Sequence, residues 1–277
     1  MKKSFLLLFV LGQIISCGSD SLETNYESYD RGTELDDEDI VVSEGYLLKK
    51  RSWSKYGETK IQGEVEYEYD EQDRLILETS HYYYENTIPE LNITGGVVKY
   101  TYEEGVVIAT YHSHENELKS TTRYIKEPNN IIRSEMHFPD GTSRLLSIAH
   151  LDNSCGRTKY EYFNSKSERT GYAEFEYVDA NCSSIVTGYD DDGVLGYTDY
   201  YTMDSKNGWH SSIGQHHNYG NITYHNTIVA ETKDASGNMD ESFSYKSEII
   251  YNSLDYPVSE IQTHYDGRKM AYFYEYY

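Results

Sequence analysis

EVEYEYD, the stretch from Glu64 to Asp70, alternates an acidic residue with an apolar or aromatic one at every position. The stretch EFEYVD, from Glu174 to Asp179, repeats this alternation over most of its length. Successive side chains of a β-strand point to opposite faces, so a period of two places acids on one face and rings on the other. The pattern therefore predicts half-buried strands with a solvated acidic face.

The same criterion predicts strands throughout residues 46–277, which we interpret as a single domain. Further strands are expected at 97–102, 106–112, 121–126, 131–138, 144–150, 159–163, 248–252, 258–265 and 269–277. Tight turns separate them, and the Asp-Gly pairs at Asp140, Asp192 and Asp266 suit hairpins because glycine accepts a positive φ. The predicted fold is all-β, an array of consecutive antiparallel β-hairpins forming a twisted open sheet or a β-sandwich.

Composition indicates what fills the core. The 277 residues carry 47 acidic and 24 basic side chains, a formal net charge of −23. Aliphatic residues are scarce, but there are 31 Tyr, 7 Phe and 2 Trp, and each ring can bury roughly 150–250 Å². We expect tyrosine rings on the buried face and acids outside. Because a surface this acidic repels the phosphate backbone of DNA or RNA, no nucleic-acid partner is expected.

The N-terminus has the features of a targeting segment. Lys2 and Lys3 precede an apolar run too short to span a bilayer, so residues 1–16 are predicted to be a signal peptide. Ile14-Ile15-Ser16-Cys17 resembles the lipobox of bacterial lipoproteins, in which the cysteine is acylated and becomes the first residue. This resemblance implies lipidation of Cys17 and a membrane partner through that lipid. Residues 17–45 are rich in acids and predict an extended tether.

The hairpins also repeat. One pattern recurs, as at Tyr67 to Leu75 and at Tyr251 to Val258: aromatic residues, then an acid or Asn, a short turn and an aliphatic residue. This pattern resembles the degenerate YD-type repeats of RHS proteins. With the later segment Asp204-Ser205-Lys206-Asn207 and the aromatic C-terminus, the arrangement resembles uncharacterised, tyrosine-rich surface lipoproteins of Bacteroidota type. That resemblance implies a lipid-anchored outer-membrane location, exposed at the cell surface or, alternatively, facing the periplasm. It supplies no catalytic residues.

Two cysteines remain once Cys17 is assigned to the lipid. Cys155 and Cys182 occupy equivalent places in successive repeat units, and an even number of cysteines outside the cytoplasm favours pairing. We predict a Cys155–Cys182 disulfide, with two free buried thiols as the alternative.

Candidate ligand contacts are exposed aromatic residues and the histidine-rich loop that interrupts the repeats. A tyrosine ring is rigid and apolar while its hydroxyl forms hydrogen bonds, which suits recognition of a protein or a glycan. The alternative is that these rings form the core and the loop is only a polar connection. The candidates are Trp53, Tyr82, Tyr84, Tyr200, Trp209, His210, His216 and His217.

No catalytic motif is present in the sequence. There is no nucleophile elbow, phosphate-binding loop or zinc-protease signature, and no cofactor is expected. His112 with His114, and the acids before Gly193, are better explained as a strand segment and a tight turn than as metal sites. We therefore predict a non-enzymatic surface binding or scaffold protein of unknown ligand. The alternative is a glycan-directed hydrolase that uses paired carboxylates.

Overall fold

The chain folds as a closed β-barrel. A computed structural model describes residues 46–83, 93–152, 156–210 and 225–277, and in this part of the chain sixteen strands form one antiparallel sheet that closes on itself. A 3₁₀ turn, Pro128–Asn130, precedes the seventh strand. The strands are β1 (Leu48–Lys55), β2 (Gly63–Tyr69), β3 (Leu75–Tyr83), β4 (Ile93–Glu103), β5 (Val106–Ser113), β6 (Leu118–Glu127), β7 (Ile131–His137), β8 (Ser143–Leu151), β9 (Arg157–Phe163), β10 (Arg169–Tyr177), β11 (Ser184–Asp190), β12 (Leu195–Met203), β13 (Thr227–Asp234), β14 (Met239–Tyr251), β15 (Pro257–His264) and β16 (Lys269–Tyr276).

Each strand pairs with the next one along the chain, so the prediction of consecutive antiparallel hairpins is confirmed. The prediction of an open sheet or a sandwich is wrong, because β16 pairs back onto β1. In that pairing Arg51 lies opposite Tyr274 and Trp53 opposite Tyr272. Closure gives hydrogen-bond partners to the two edges that an open sheet would leave unpaired.

The inner face of the barrel carries an aromatic core. Only one layer of sheet is present in the described chain, so large apolar side chains that are buried by their neighbours point into the barrel. The members alternate along each strand, as the period of two predicts. The buried cluster consists of Leu48, Val65, Tyr67, Leu75, Val98, Tyr100, Val107, Ala109, Tyr124, Ile132, Ala149, Tyr274 and Tyr276.

The outer face carries charged side chains in the middle of its strands. Glu64 and Glu66 flank the inward Val65, and Glu174 and Glu176 flank Phe175 in the same way. Several of these charges form ion pairs across neighbouring strands, as Lys50 does with Glu64 and Glu66, and Arg133 with Glu127. The outward charges on the described strands include Lys50, Glu64, Glu66, Lys99, Arg123, Arg133, Glu135, Lys159, Glu161, Glu174, Glu176, Glu231, Lys233, Lys246 and Glu248.

Most of the tight turns share one construction. An Asp or Asn at the start of the turn accepts backbone N–H bonds through its side chain, and a residue three positions later takes a positive φ. In the turn after β11, Val194 N–H donates to Asp190 Oδ1 at 2.8 Å, and Gly193 has φ of +81°. The side-chain oxygens thus accept hydrogen bonds from turn N–H groups for which the turn has no backbone acceptor. The acids before Gly193 thus form a tight turn.

We expect Asp190→Ala to lower the free energy of unfolding by about 1 kcal/mol, because Val194 N–H loses its side-chain acceptor. Asp192→Ala is the matched control, since it removes a carboxylate from the same turn without removing that bond. Urea denaturation of the two variants measures the difference. Equal losses would contradict the role of Asp190 in holding the turn.

Several predictions concern residues that the structure does not describe. The signal peptide (1–16), the tether (17–45) with Cys17, and Cys155 all lie outside the described residues. Cys182 is disulfide-bonded, and its pairing with Cys155 stays a prediction. No helix within the described ranges is long and apolar enough to cross a bilayer.

Candidate functional site

Two of the sequence-predicted aromatic residues meet on the inner face of the barrel. Trp53 on β1 and Tyr82 on β3 have ring centroids 5.6 Å apart, although β2 lies between their strands. Gly63 of β2 makes this possible, since a Cβ there would lie 2.1 Å from Cζ2 of Trp53. The indole therefore lies across the β2 backbone, and both rings keep partial solvent exposure.

Trp209 and His210 reach the same region from the connection that follows β12. Their rings stack with centroids 3.5 Å apart, and Trp209 lies 6.1 Å from Tyr274 of β16. Because Tyr274 points into the barrel, Trp209 enters the interior from the end where β1 begins and β16 ends. The structure thus brings Trp53, Tyr82, Trp209 and His210 into one region.

The segment Asp204-Ser205-Lys206-Asn207 anchors this connection to the barrel. Asp204 Oδ1 accepts N–H bonds from Lys206 (3.0 Å) and Asn226 (3.1 Å). Its Oδ2 accepts the Asn226 amide at 3.3 Å and the Tyr251 hydroxyl. Lys206 forms an ion pair of 2.6 Å with Asp255 in the turn between β14 and β15. The segment singled out by the sequence therefore positions Trp209 and has no free carboxylate for catalysis.

Arg51 lies at the centre of the aromatic region, and sequence reasoning missed it. Its guanidinium carbon is 4.5 Å from the Trp209 ring centroid, 4.8 Å from that of Tyr272 and 5.9 Å from that of Trp53. Nε is buried and lacks a hydrogen-bond partner. Among the described residues no acceptor or carboxylate pairs with this guanidinium. We call Arg51, Trp53, Tyr82, Trp209 and Tyr272 the Arg51 cluster.

Glu260 on β15 is an acid whose charge stabilises the charged form of Arg51. Its carboxylate accepts hydrogen bonds from the hydroxyls of Tyr274 (2.7 Å) and Ser247 (2.7 Å) and from the Gln262 amide (2.8 Å). Burial works to lower the pKa of Arg51, but nearby tyrosine hydroxyls and Glu260 outweigh it, and the pKa is raised. The guanidinium is therefore a permanent cation inside the barrel.

Two further acids point inward. Burial raises the pKa of Glu78 on β3 to about 7, against a hydrogen bond from the Tyr100 hydroxyl that lowers it. Burial also raises the pKa of Asp199 on β12 to about 6, although hydrogen bonds from Thr232 and Tyr201 lower it. Asp199 is 3% exposed, and its Oδ1 has no partner in the described chain.

The inward acids do not form an evident catalytic pair. Glu78, Asp199 and Glu260 lie on β3, β12 and β15, at least three strands apart around the barrel. At about 4.8 Å per strand the separation along the wall is at least about 14 Å. Glycosidase pairs are about 5–9.5 Å apart. This arrangement does not favour the hydrolase alternative.

The remaining candidates do not join the Arg51 cluster. Tyr200 is on the outer wall, 36% exposed, with Lys233 Nζ 4.7 Å from its ring centroid. Tyr84, His216 and His217 lie outside the described residues. Two shallow depressions on the outer wall of β9 to β11 share Lys159 and Glu174 and have largely polar linings that contain none of the predicted contacts.

Comparison with known proteins supports the fold only. No protein-family model matches this chain, and no curated protein sequence matches it. The barrel is similar to a porin-like protein from Bacteroides uniformis, with a TM-score of 0.55 and 9% identity over 82% of this chain and 97% of that chain. A porin-like protein from Bacteroides vulgatus overlaps with a TM-score of 0.38 and 12% identity, over 83% and 98%. At these identities the likeness concerns the barrel fold and not its activity.

Proposed function

We propose that this protein is a lipid-anchored barrel of the bacterial outer membrane that stays in water and binds a ligand. It would not form a transmembrane pore. The observation that carries the proposal is the orientation of its side chains, with the buried tyrosines pointing in and most charged side chains pointing out. The porin-like description of its structural neighbour suggests an outer-membrane location.

A membrane-spanning barrel needs the opposite arrangement. Its outer wall carries an apolar band about 25 Å tall, and a Lys or Arg at the bilayer midplane costs about 2–4 kcal/mol. Here Arg123, Arg133, Lys159 and Lys233 all lie on the outer wall, beside outward acids such as Glu174. The outward apolar residues alternate with these charges, as Ile108 does opposite Arg123 and Ile185 opposite Glu176, so they form no uninterrupted apolar band. Placing that wall in lipid would therefore bury many charged side chains at this cost.

The lipid predicted at Cys17 then supplies the membrane attachment. Two or more acyl chains bury enough methylene groups, at about 0.8 kcal/mol each, to hold a soluble domain stably. The acidic segment 17–45 would separate the barrel from the anionic membrane surface. Display at the cell surface is the orientation we propose, and protease treatment of intact cells, compared with lysed ones, distinguishes it from the periplasmic face.

A binding role fits the interior better than an enzymatic one. The described inward acids sit on separate parts of the wall, whereas aromatic rings and one unpaired cation converge at the Arg51 cluster. Rings with a few placed polar groups are typical of ligand sites.

The proposal predicts that the lipid alone holds the protein on the membrane. Replacing residues 1–17 by an ordinary cleavable secretory signal should move the chain that begins at Gly18 from the membrane pellet into the soluble extracytoplasmic fraction, without detergent. Immunoblots of the two fractions after cell lysis measure the shift.

Ser21→Ala is the control, since it keeps Cys17 and should remain entirely in the pellet. If the chain from Gly18 still sediments with the membrane and needs detergent for release, the barrel itself sits in the bilayer and the proposal is wrong.

A further inference from the structure

The guanidinium of Arg51 has N–H donors for which the described part of the chain supplies no acceptor. The guanidinium carbon lies over the Trp209 and Tyr272 rings, 4.5 and 4.8 Å from their centroids. The N–H donors of a guanidinium lie in its own plane, and among the described residues no acceptor bonds to those of Arg51. Guanidinium donors in a fixed planar fork match the two oxygens of a carboxylate.

The surroundings of Arg51 favour a ligand with one negative charge. The charge of Glu260 already interacts with this guanidinium, so it would repel a second negative charge on a ligand. The net charge of −23 on the whole chain adds to that repulsion. A singly charged carboxylate satisfies the guanidinium with the smallest repulsion. A doubly charged phosphate is disfavoured on the same ground.

The rings beside Arg51 favour a ligand that also has a flat ring. The Trp53 ring centroid is 5.9 Å from the guanidinium carbon, and Tyr82 packs against Trp53 on the side of β3. Arg51, Trp53, Tyr82 and Tyr272 all keep partial exposure, so solvent reaches them inside the barrel. Aromatic side chains bind flat apolar surfaces through their faces. A carboxylate held by Arg51 would place an attached ring against these residues.

We infer that the Arg51 cluster binds a small monocarboxylate that carries a six-membered ring, with the carboxylate on the Arg51 guanidinium and the ring against Trp53 and Tyr82. This inference rests on the proposed binding role. The ring could be that of a sugar acid or of an aromatic acid, which share this chemistry.

Tryptophan fluorescence tests the inference directly, because the only two tryptophans of the chain, Trp53 and Trp209, both belong to the cluster. The protein is the soluble chain from Gly18, or the detergent-extracted full-length protein if that chain is not released from the membrane. Sodium phenylacetate and sodium D-glucuronate are titrated to millimolar concentrations, beside their neutral counterparts phenylacetamide and D-glucose and beside inorganic phosphate. Saturation-transfer NMR on each probe gives a second readout of binding.

The expected result is saturable binding of one carboxylate, with its neutral counterpart and phosphate at least about 10-fold weaker. Arg51→Gln should weaken that binding by on the order of 100-fold, as truncation of a charged hydrogen-bond partner does. Arg51→Lys keeps the charge but loses the fork, so it should bind weakly as well. Arg133→Gln, on the outer wall, is the matched control and should bind as the parent does.

Which carboxylate binds decides between a sugar ring and an aromatic ring. The inference is overturned if neither carboxylate binds the folded protein, if the neutral counterpart or phosphate binds equally, or if Arg51→Lys with an unchanged melting temperature binds as tightly as the parent. The binding test can use the soluble chain or the detergent-extracted protein. A negative binding result therefore contradicts this inference whatever the outcome of the lipid-release experiment.

Discussion

Replacing Tyr274 with alanine is expected to reduce the free energy of unfolding by about 3–5 kcal/mol, the range for truncating a fully buried aromatic residue. Tyr274 is 2% exposed and packs within the inner cluster beside Trp209. Its hydroxyl also donates to Glu260 Oε2 at 2.7 Å. Truncation leaves a cavity and removes a donor from a buried carboxylate. Urea denaturation of the chain from Gly18, followed by circular dichroism, measures the loss.

Two further variants separate the contribution of the Tyr274 ring from that of its hydroxyl and test whether the inner face is the core. Tyr274→Phe keeps the ring and should cost only about 1–3 kcal/mol, the effect of leaving Glu260 short of one donor. Tyr200→Ala removes a tyrosine from the outer wall and should change stability by no more than about 0.5 kcal/mol. If Tyr200→Ala and Tyr274→Ala lose the same stability, the inner face is not the core.

The fold could be predicted from sequence wherever an acid and a ring alternate. β2 and β10 follow this rule, and the strands expected between residues 97 and 163 are present with ends shifted by only a few residues. The turn residues Asp140, Asp192 and Asp266 fall between strands as expected. In these segments the two faces differ strongly in polarity, so local pattern and tertiary environment agree.

The strands that sequence missed are those in which the polarity of the faces is mixed. β1 reads LKKRSWSK, and its inward residues include Arg51 beside Trp53 while serines face outward. β12 points Asp199 inward and Tyr200 outward. A polar side chain can point into the barrel when aromatic rings or hydroxyl groups contact it there. A search for alternating hydrophobicity reads such a residue as outward-facing and misses the strand. The missed strands therefore include the one that carries the centre of the candidate site.

Closure of the barrel had no local signal either. It depends on pairing residues 48–55 with residues 270–276, segments at opposite ends of the domain. The hairpin pattern predicts neighbours in sequence, and it is equally compatible with an open sheet, a sandwich or a barrel. The convergence of Trp53 and Trp209 on Arg51 follows from closure, because β16 brings Tyr272 and Tyr274 beside β1.

The inward acids are expected to make the barrel less stable as pH rises. Burial raises the pKa of Glu78 to about 7 and that of Asp199 to about 6, against roughly 4.3 and 3.9 in an unfolded chain. The folded state therefore binds the protons more tightly. This stabilisation is complete below about pH 4 and is lost as pH rises through 6 and 7. At 1.36 kcal/mol per pKa unit the shift of Glu78 corresponds to at most about 4 kcal/mol, and because Glu78 keeps some exposure to solvent its contribution should be about 3 kcal/mol or less.

Glu78→Gln separates the effect of protonating Glu78 from that of the outward carboxylates. Glu64 and Glu161 on the outer wall have lowered pKa values, so their protonation at low pH destabilises the fold. The parent should lose up to about 3 kcal/mol relative to Glu78→Gln between pH 5 and pH 8, because glutamine has no proton to release. Glu174→Gln, on the outer wall, should show no such change relative to the parent. Urea denaturation at each pH measures the difference. A parent and a Glu78→Gln variant whose stabilities follow parallel curves would mean that Glu78 is charged inside the barrel at pH 5, and that lumen water solvates it as well as bulk water does.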